Sequence, residues 1–360
     1  MRQLLDPVRR RCLALAAGGW LAAPGTVIAA PVLSVADAVL RSAAAAPLTH
    51  GVVVEQHGAL IAESYFTADD KPSGALLART VAFDADTLHD MRSVTKSVVA
   101  LLAGVAHGRG QLDRERPVLD WFPEHADLAT PERRAIRLEH LLTMTAGIAW
   151  DETTLSYGDA FNSATRLSRS DEPVAFVLSR EMVSAPGSRF VYSGGATLLL
   201  GAIVERATGR PLDELARETL FAPLGIERFE WRRHPRWNRT IPDTGLRLAP
   251  RSMLRLGRLV LAQGRNGGQS LVPEEWLDQS QQPRVSAGPV LKYGWHWWVG
   301  RISAGPAAGT GWFAALGNGG QVLMCVPRLD TVIAVTAGRY GTAVTPSLVI
   351  CRAVIEALLA

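Results

Sequence analysis

The chain is short of several things, and each shortage closes off a class of function. Only three of its 360 residues are cysteine: Cys12, Cys325 and Cys351. There is no CxxC, no HExxH and no His/Cys cluster at metal-ligand spacing, so neither a structural zinc module nor a zincin is expected. No GxGxxG follows a strand-like run, and no βαβ alternation surrounds one, which argues against a dinucleotide fold. No G-x-S-x-G occurs, and "VYSGG" around Ser193 lacks its leading glycine. The eight histidines stand in no triad context, so an α/β-hydrolase is not indicated. No run after residue 30 is apolar and long enough to span a bilayer. Lysine is the rarest charge, with Lys71, Lys96 and Lys292 alone, so arginine does nearly all the cationic work.

What is present reads as globular, with 48% apolar and 20% charged residues. The length fits one large or two closely joined domains. Residues 1–29 stand apart. Arg2, Arg9, Arg10 and Arg11 precede an uncharged Ala/Gly/Leu-rich run ending "TVIAAP", and Val27 and Ala29 have signal-peptidase spacing. This is the pattern of a secretory leader, so a periplasmic or secreted protein is expected. A retained membrane anchor is the alternative. The leader carries +3 of the formal +4, so a polyanion partner is disfavoured. Cys325 and Cys351 lie in apolar contexts that suit buried thiols. Whether they pair is left open at this point.

Periodicity organises the rest. His50–Phe66 reads as two strands around a His57-Gly58 turn. Amphipathic helices are expected from Ser93, in "LEHLLTMTAGI", in "ATLLLGAIVERATG" and over Leu248–Gly264. Strands are expected at Tyr293–Val299, Trp312–Leu316, Gln321–Val326 and Thr331–Ala337, and a last helix at Thr345–Leu359. The fold class that follows is α/β (α+β), a mostly antiparallel sheet flanked by helices with a helical insertion. The sheet domain would comprise 30–108 and 244–360, and the helical domain 109–243.

The stretch "DMRSVTKSVVALLAGVAHGRGQLD" holds the sharpest chemical signal. Positions i and i+3 share a helix face, so Lys96 can reach the Ser93 hydroxyl. A serine needs a base to act as a nucleophile, and a lysine serves only if its pKa falls. The plain alternative is that Ser93 is an N-cap and Lys96 a surface charge.

Four ordered blocks widen the comparison: "MRSVTKS", "LEHLLTMTAGIAWDE", "PGSRFVYSGGATLLLGAIVERATGRPL" and "GNGGQVLMCVPRLDTVIAVTAG". Together they resemble the serine hydrolases related to class C β-lactamases. That group includes family VIII esterases, D-amino-acid peptidases and 6-aminohexanoate-dimer hydrolases. The resemblance implies a β-lactamase-like fold, no cofactor and no metal. It implies Ser93 as acyl-forming nucleophile, Lys96 as its base partner and Tyr192 of "YSG" as the proton-sharing tyrosine. The oxyanion donors would be the Ser93 and Asn318 amides. Trp150, Tyr157, Trp295 and Trp297 are candidates for a substrate pocket.

Two departures stand out. Gly194 occupies the third place of the β-lactamase Y-x-N motif, and no K-T-G cation is available after Lys292 and His296. Arg301, Arg328 and Arg339 are the candidates to replace it. Ser170-Asp171-Glu172 resembles an S-D-N motif with the wrong last residue. The expected activity is therefore hydrolysis of a small ester or amide through an acyl-enzyme. A β-lactamase or D-Ala-D-Ala peptidase of the same fold, a non-catalytic penicillin-binding-like protein, and a membrane-held structural protein are the alternatives.

Overall fold

The computed structural model describes residues 34–360. The expected leader and Cys12 lie outside the described residues. Among the described residues no helix is long and apolar enough to cross a membrane.

Strands from both ends of the described chain build one eight-stranded sheet, antiparallel throughout. Its order is Val285–Ser286, Lys292–Tyr293, Trp298–Arg301, Gly311–Gly317, Gln321–Val326, Thr331–Ala337, then β1 (Thr49–Gln56) and β2 (Ala59–Tyr65). β1 pairs with Thr331–Ala337 in a register that sets Val53 opposite Ala334. The central strands Gln321–Val326 and Thr331–Ala337 are buried at every position because both faces are covered, and apart from Gln321, Thr331 and Thr336 they are apolar. Val52, Val54, Val322, Met324, Ile333 and Val335 point to one side, where Ile350, Val354 and Ile355 of the C-terminal helix Thr345–Leu359 and Val39 of α1 (Val35–Ala44) meet them. The alternate residues Val53, Leu323, Cys325, Val332 and Ala334 point to the other side, towards α2 (Val94–Gly108) and helix Pro250–Leu261. The period of two thus sorts one run of valines and isoleucines into two cores. Cys325 and Cys351 fall on opposite faces of the sheet, and both are free, buried thiols.

Glycine permits the closest approaches, of helix Pro250–Leu261 to the sheet and of α2 to helix Glu274–Gln281. A Cβ on Gly257 would come within 2.4 Å of Val332, and one on Gly104 of α2 within 2.6 Å of the Trp276 ring. The stretch between the two sheet-forming segments is largely helical. Its longest element, Gly194–Thr208, packs in the same core as α2 and is closed by Gly209 in the left-handed conformation. One strand in it, Phe229–Trp231, pairs with Leu246–Leu248, which pairs with His89–Asp90. This small sheet ties the helical stretch to the residues just ahead of Ser93.

Most expected strand limits match the structure. Tyr293–Val299 does not: it is broken at Gly294–Trp297. His296 there has φ +58°, its amide and Nδ1 both lie within hydrogen-bond distance of the Leu142 carbonyl oxygen, and Gly294 packs against the Ser280 backbone.

Candidate active site

Ser93 precedes α2 at the position of a cap, yet its side chain caps nothing. The backbone enters the helix through Arg92 at φ +49°, and the Val94 amide donates back to the Met91 carbonyl at 3.1 Å. Ser93 therefore stands at the first turn, where free N–H groups and the helix dipole favour negative charge.

One turn on, Lys96 is fully buried. Its Nζ donates to Ser93 Oγ at 3.2 Å and to the Asp243 carbonyl at 3.1 Å, and lies 4.0 Å from Asp243 Oδ2. The same nitrogen sits 5.2 Å from the centroid of the Tyr192 ring. Tyr192 reaches this point because Val191 is tied to the Met144 carbonyl and Ser193 caps helix Gly194–Thr208. Its ring is stacked on Trp298 (5.7 Å) and meets Tyr293 edge-on (6.3 Å). Ser93, Lys96 and Tyr192, separated by up to 99 residues, are brought together.

The charge state runs against the sequence-based expectation for the lysine. Burial pulls the Lys96 ammonium down, but Tyr192, Glu152 and Asp243 outweigh it and hold the group above its usual range. Burial likewise pushes the Tyr192 phenol up, with Lys96 and Ser93 pulling the other way.

Glu152 is the residue that sequence reasoning missed, although it lies inside the "WDE" block. It is buried. Its Oε2 accepts the Trp150 indole N–H and the Gly194 amide, both at 2.7 Å. A Cβ on Gly194 would lie 2.9 Å from Glu152 Oε2 and 2.8 Å from Asp243 Oδ2. Two carboxylates therefore crowd the place that a side chain at the third position of the tyrosine motif would need. Burial and Asp243 push the Glu152 carboxyl up, against the pull of Lys96. Asp243 carries no local motif, and only the fold brings it to Ser93.

Asn318 lines the cleft with Ser93. Gly317 explains the approach of its strand: a Cβ there would strike the Met91 carbonyl oxygen at 2.4 Å and Arg92 Cβ at 3.3 Å. The end of strand Gly311–Gly317 is thus laid against the backbone that leads into Ser93. Asn318 Oδ1 accepts the Gly341 amide at 2.7 Å and fixes the neighbouring loop.

The cleft above these groups has a volume of about 1000 Å³. Tyr157 lines it. Trp295 and Trp297 do not, and their expected pocket role is corrected. The turn at His296 sends both rings into the core, against Trp276 and Phe313 respectively. Trp150 is buried beneath the site, where it orients Glu152 and fills the space left by Gly195. Neither Ser170-Asp171-Glu172 nor Arg301, Arg328 or Arg339 lines the cleft. Arg339 is spent on Pro47, Thr49 and Ser347. Among the described residues no group of acidic, histidine or cysteine side chains could hold a metal ion.

Comparison with known proteins bears on the family and the fold. The beta-lactamase family model matches residues 35–347. Esterase EstB of Burkholderia gladioli is 32% identical over 181 residues, covering 48% of this chain and 44% of that protein. The 6-aminohexanoate-dimer hydrolase of Paenarthrobacter ureafaciens is 24% identical over 268 residues, 70% of this chain and 66% of that one. The matched region spans less than half the length of the first curated relatives. Among solved structures, EstCE1, a hydrolase with promiscuous acyltransferase activity, superposes with a TM-score of 0.72 at 18% identity, over 89% of this chain and 98% of that one. The antiparallel sheet, its flanking helices and a sequence match spanning nearly all the described residues lead to one assignment: the chain belongs to the beta-lactamase family.

Proposed function

We propose that the protein is an exported serine hydrolase that cleaves a small ester or amide through a Ser93 acyl-enzyme. The observation that carries this reading is the 3.2 Å contact from Lys96 Nζ to a Ser93 hydroxyl that caps no helix. A buried amine and a phenol converging on a serine that caps no helix are the groups a serine nucleophile needs for proton transfer.

In the proposed cycle the competent form is the one in which the Lys96/Tyr192 pair has lost a proton; Ser93 Oγ attacks the acyl carbon, and its proton passes to the vacant position on that pair. The tetrahedral oxyanion takes hydrogen bonds from the Ser93 and Asn318 amides. Collapse breaks the bond to the leaving alcohol or amine, which receives the proton from the same pair. Water then adds to the acyl-enzyme and its proton follows the same route. Ser93 is regenerated and the carboxylic acid leaves. The esterase and amide-hydrolase names of the relatives support this class of reaction. Export rests on the leader-like residues 1–29.

A β-lactamase or D-Ala-D-Ala peptidase reading is weaker. No lysine or histidine follows strand Gly311–Gly317, and Gly194 replaces the motif asparagine. The test is intact mass after a fluorophosphonate together with p-nitrophenyl butyrate hydrolysis, in wild type, Ser93→Ala and Lys96→Ala. One adduct lost in Ser93→Ala, with turnover lost in both variants, is expected. An unlabelled and inactive wild type would remove the enzyme reading, and nitrocefin turnover would restore the β-lactamase one.

A further inference from the structure

The family's usual cation on the strand beside the site is missing, yet the cleft has one. Arg92, immediately before the nucleophile, lines it. Its φ of +49° is a costly conformation for an arginine and persists only where the surroundings fix it. The surroundings do so. The guanidinium lies 4.5 Å over the Tyr340 ring, and Tyr340 packs where Gly319 has no side chain.

The charge balance around Arg92 is uneven. Its anionic partner among the described residues is Asp90, at 3.4 Å from Oδ2. Asp90 is fully buried, and the same oxygen already accepts the Ser73 amide at 2.7 Å and faces Arg232 at 3.4 Å. Arg247 takes the other oxygen at 3.1 Å. Arg247 is further fixed by Glu230 and the Leu88 carbonyl, and Arg232 by the Ser73 carbonyl. Three guanidiniums thus have only Asp90 and Glu230 within ion-pair distance, one carboxylate fewer than their number. The Asp70 carboxylate, which a neutral hydroxyl does not neutralise, lies on the far side of the Tyr340 ring, where it accepts the Tyr340 hydroxyl at 3.0 Å and makes no ion pair with Arg92. Arg92 Nε is buried without a hydrogen-bond partner, as are the Nε atoms of Arg232 and Arg247; what sets Arg92 apart is that, of the three, it alone lines the cleft. The surplus faces the cleft through Arg92, on the wall it shares with Asn318, Tyr340, Gly341 and Thr342. Glu152 and Asp243 also line the cleft, so its charge is separated rather than uniform.

We propose that Arg92 is the anion-recognition residue of this cleft, and that the natural substrate carries a carboxylate in addition to the bond that is cleaved. A planar guanidinium with free donors matches a carboxylate's two oxygens. The proposal rests on Ser93 being the nucleophile, since it is the adjacent position that puts the anion within reach of the reacting bond.

The test compares two esters with the same leaving group: p-nitrophenyl hemiglutarate, and its methyl ester, in which the charge is masked. Wild-type kcat/KM is expected to favour the hemiglutarate about tenfold or more, the value of one charge-assisted hydrogen bond, with the difference carried by KM. Free glutarate should compete with the neutral ester, more weakly as salt rises. In Arg92→Gln the anionic-to-neutral ratio should fall towards one, and Arg92→Lys should restore part of it. If Arg92→Gln does not fold, the wild-type ratio and glutarate competition still decide. Equal hydrolysis of both esters, with no glutarate competition, would overturn the proposal and leave the Ser93 reading intact. So would a ratio unchanged in folded Arg92→Gln. Hydrolysis of neither ester, with no fluorophosphonate adduct, would remove both.

Discussion

The Gly194 amide donates to Glu152 Oε2 at 2.7 Å, across 42 residues of sequence. Around that contact the Glu152 and Asp243 carboxylates fill the space of the absent side chain and hold Lys96 charged. The site departs from the asparagine-containing motif in shape and in charge together.

A pH profile tests that charge. Lys96 and Tyr192 are both held above their usual ranges, so the deprotonated base is scarce at neutral pH. The kcat/KM for p-nitrophenyl butyrate should rise on the alkaline side. Glu152 pushes both groups up, so Glu152→Gln, which keeps the shape, should move this limb to lower pH. A limb that stays in place, or moves up, would show that Glu152 does not act on the pair.

Restoring a side chain at Gly194 should fail. Gly194→Asn puts a Cβ within 3 Å of both carboxylates. We expect kcat to fall by at least about tenfold, as misplacement of a catalytic group costs, with stability lowered by roughly 1–3 kcal/mol from overpacking. Steady-state kinetics and urea unfolding of the same preparation separate the two effects. Unchanged kinetics would count against the crowding.

Gly317→Ala probes the oxyanion side. Its Cβ would push the strand off the Met91 carbonyl and carry the Asn318 amide away. Loss of one such donor costs about 10²–10³-fold in kcat. The expected signature is a kcat loss with KM nearly constant and Ser93 still labelled, slowly, by fluorophosphonate. A loss in KM alone would place Asn318 in binding instead.

Stability should fall in mild acid. His89 and His296 are buried, and desolvation lowers each imidazole from about 6.5 to about 3. Between those values the unfolded chain binds more protons than the folded one, so this stabilisation is complete above about pH 6.5 and drains away as pH falls towards 3. Glu152 and Glu205, whose carboxyls burial raises, act in the opposite sense, whereas the lowered His50, His140 and His234 act in the same sense. Urea midpoints at pH 7.5 and pH 5 should show the decline. Equal midpoints would mean the imidazoles are solvated.

Gly104→Ala separates helix propensity from packing. Alanine gains about 1 kcal/mol in an exposed helix. Here its methyl would meet the Trp276 indole at 2.6 Å, so net destabilisation of roughly 1–3 kcal/mol is expected by thermal unfolding. A higher melting temperature would show that Trp276 yields.

Local pattern made much of this readable. Gln321–Val326 and Thr331–Ala337 announce themselves as apolar runs, and the structure places strands at those limits. Ser93 and Lys96 lie one turn apart on one helix, so their contact follows from helical geometry. Other features were hidden for stated reasons. The tryptophans of "YGWHWWVG" have the chemistry of pocket walls, but their facing depends on the backbone at His296, which a carbonyl in a distant helix fixes. The pKa direction of Lys96 depends on Asp243, 147 residues away, and on the buried Glu152. Arg92 lay in view beside Ser93, but its surplus charge appears only when Arg232 and Arg247 are seen to share Asp90.

The pairing of Thr49–Gln56 with Thr331–Ala337 has a consequence for biosynthesis. One side of Thr49–Gln56 pairs at once with the neighbouring Ala59–Tyr65, but the other waits for a partner made about 280 residues later, and Asn318 lies in that same late segment. A nascent chain that has already produced Ser93, Lys96 and Tyr192 has half an active site and an unpaired sheet edge. Such non-local closure is slow, and the wall of the cleft that carries Asn318 is incomplete until those two segments pair.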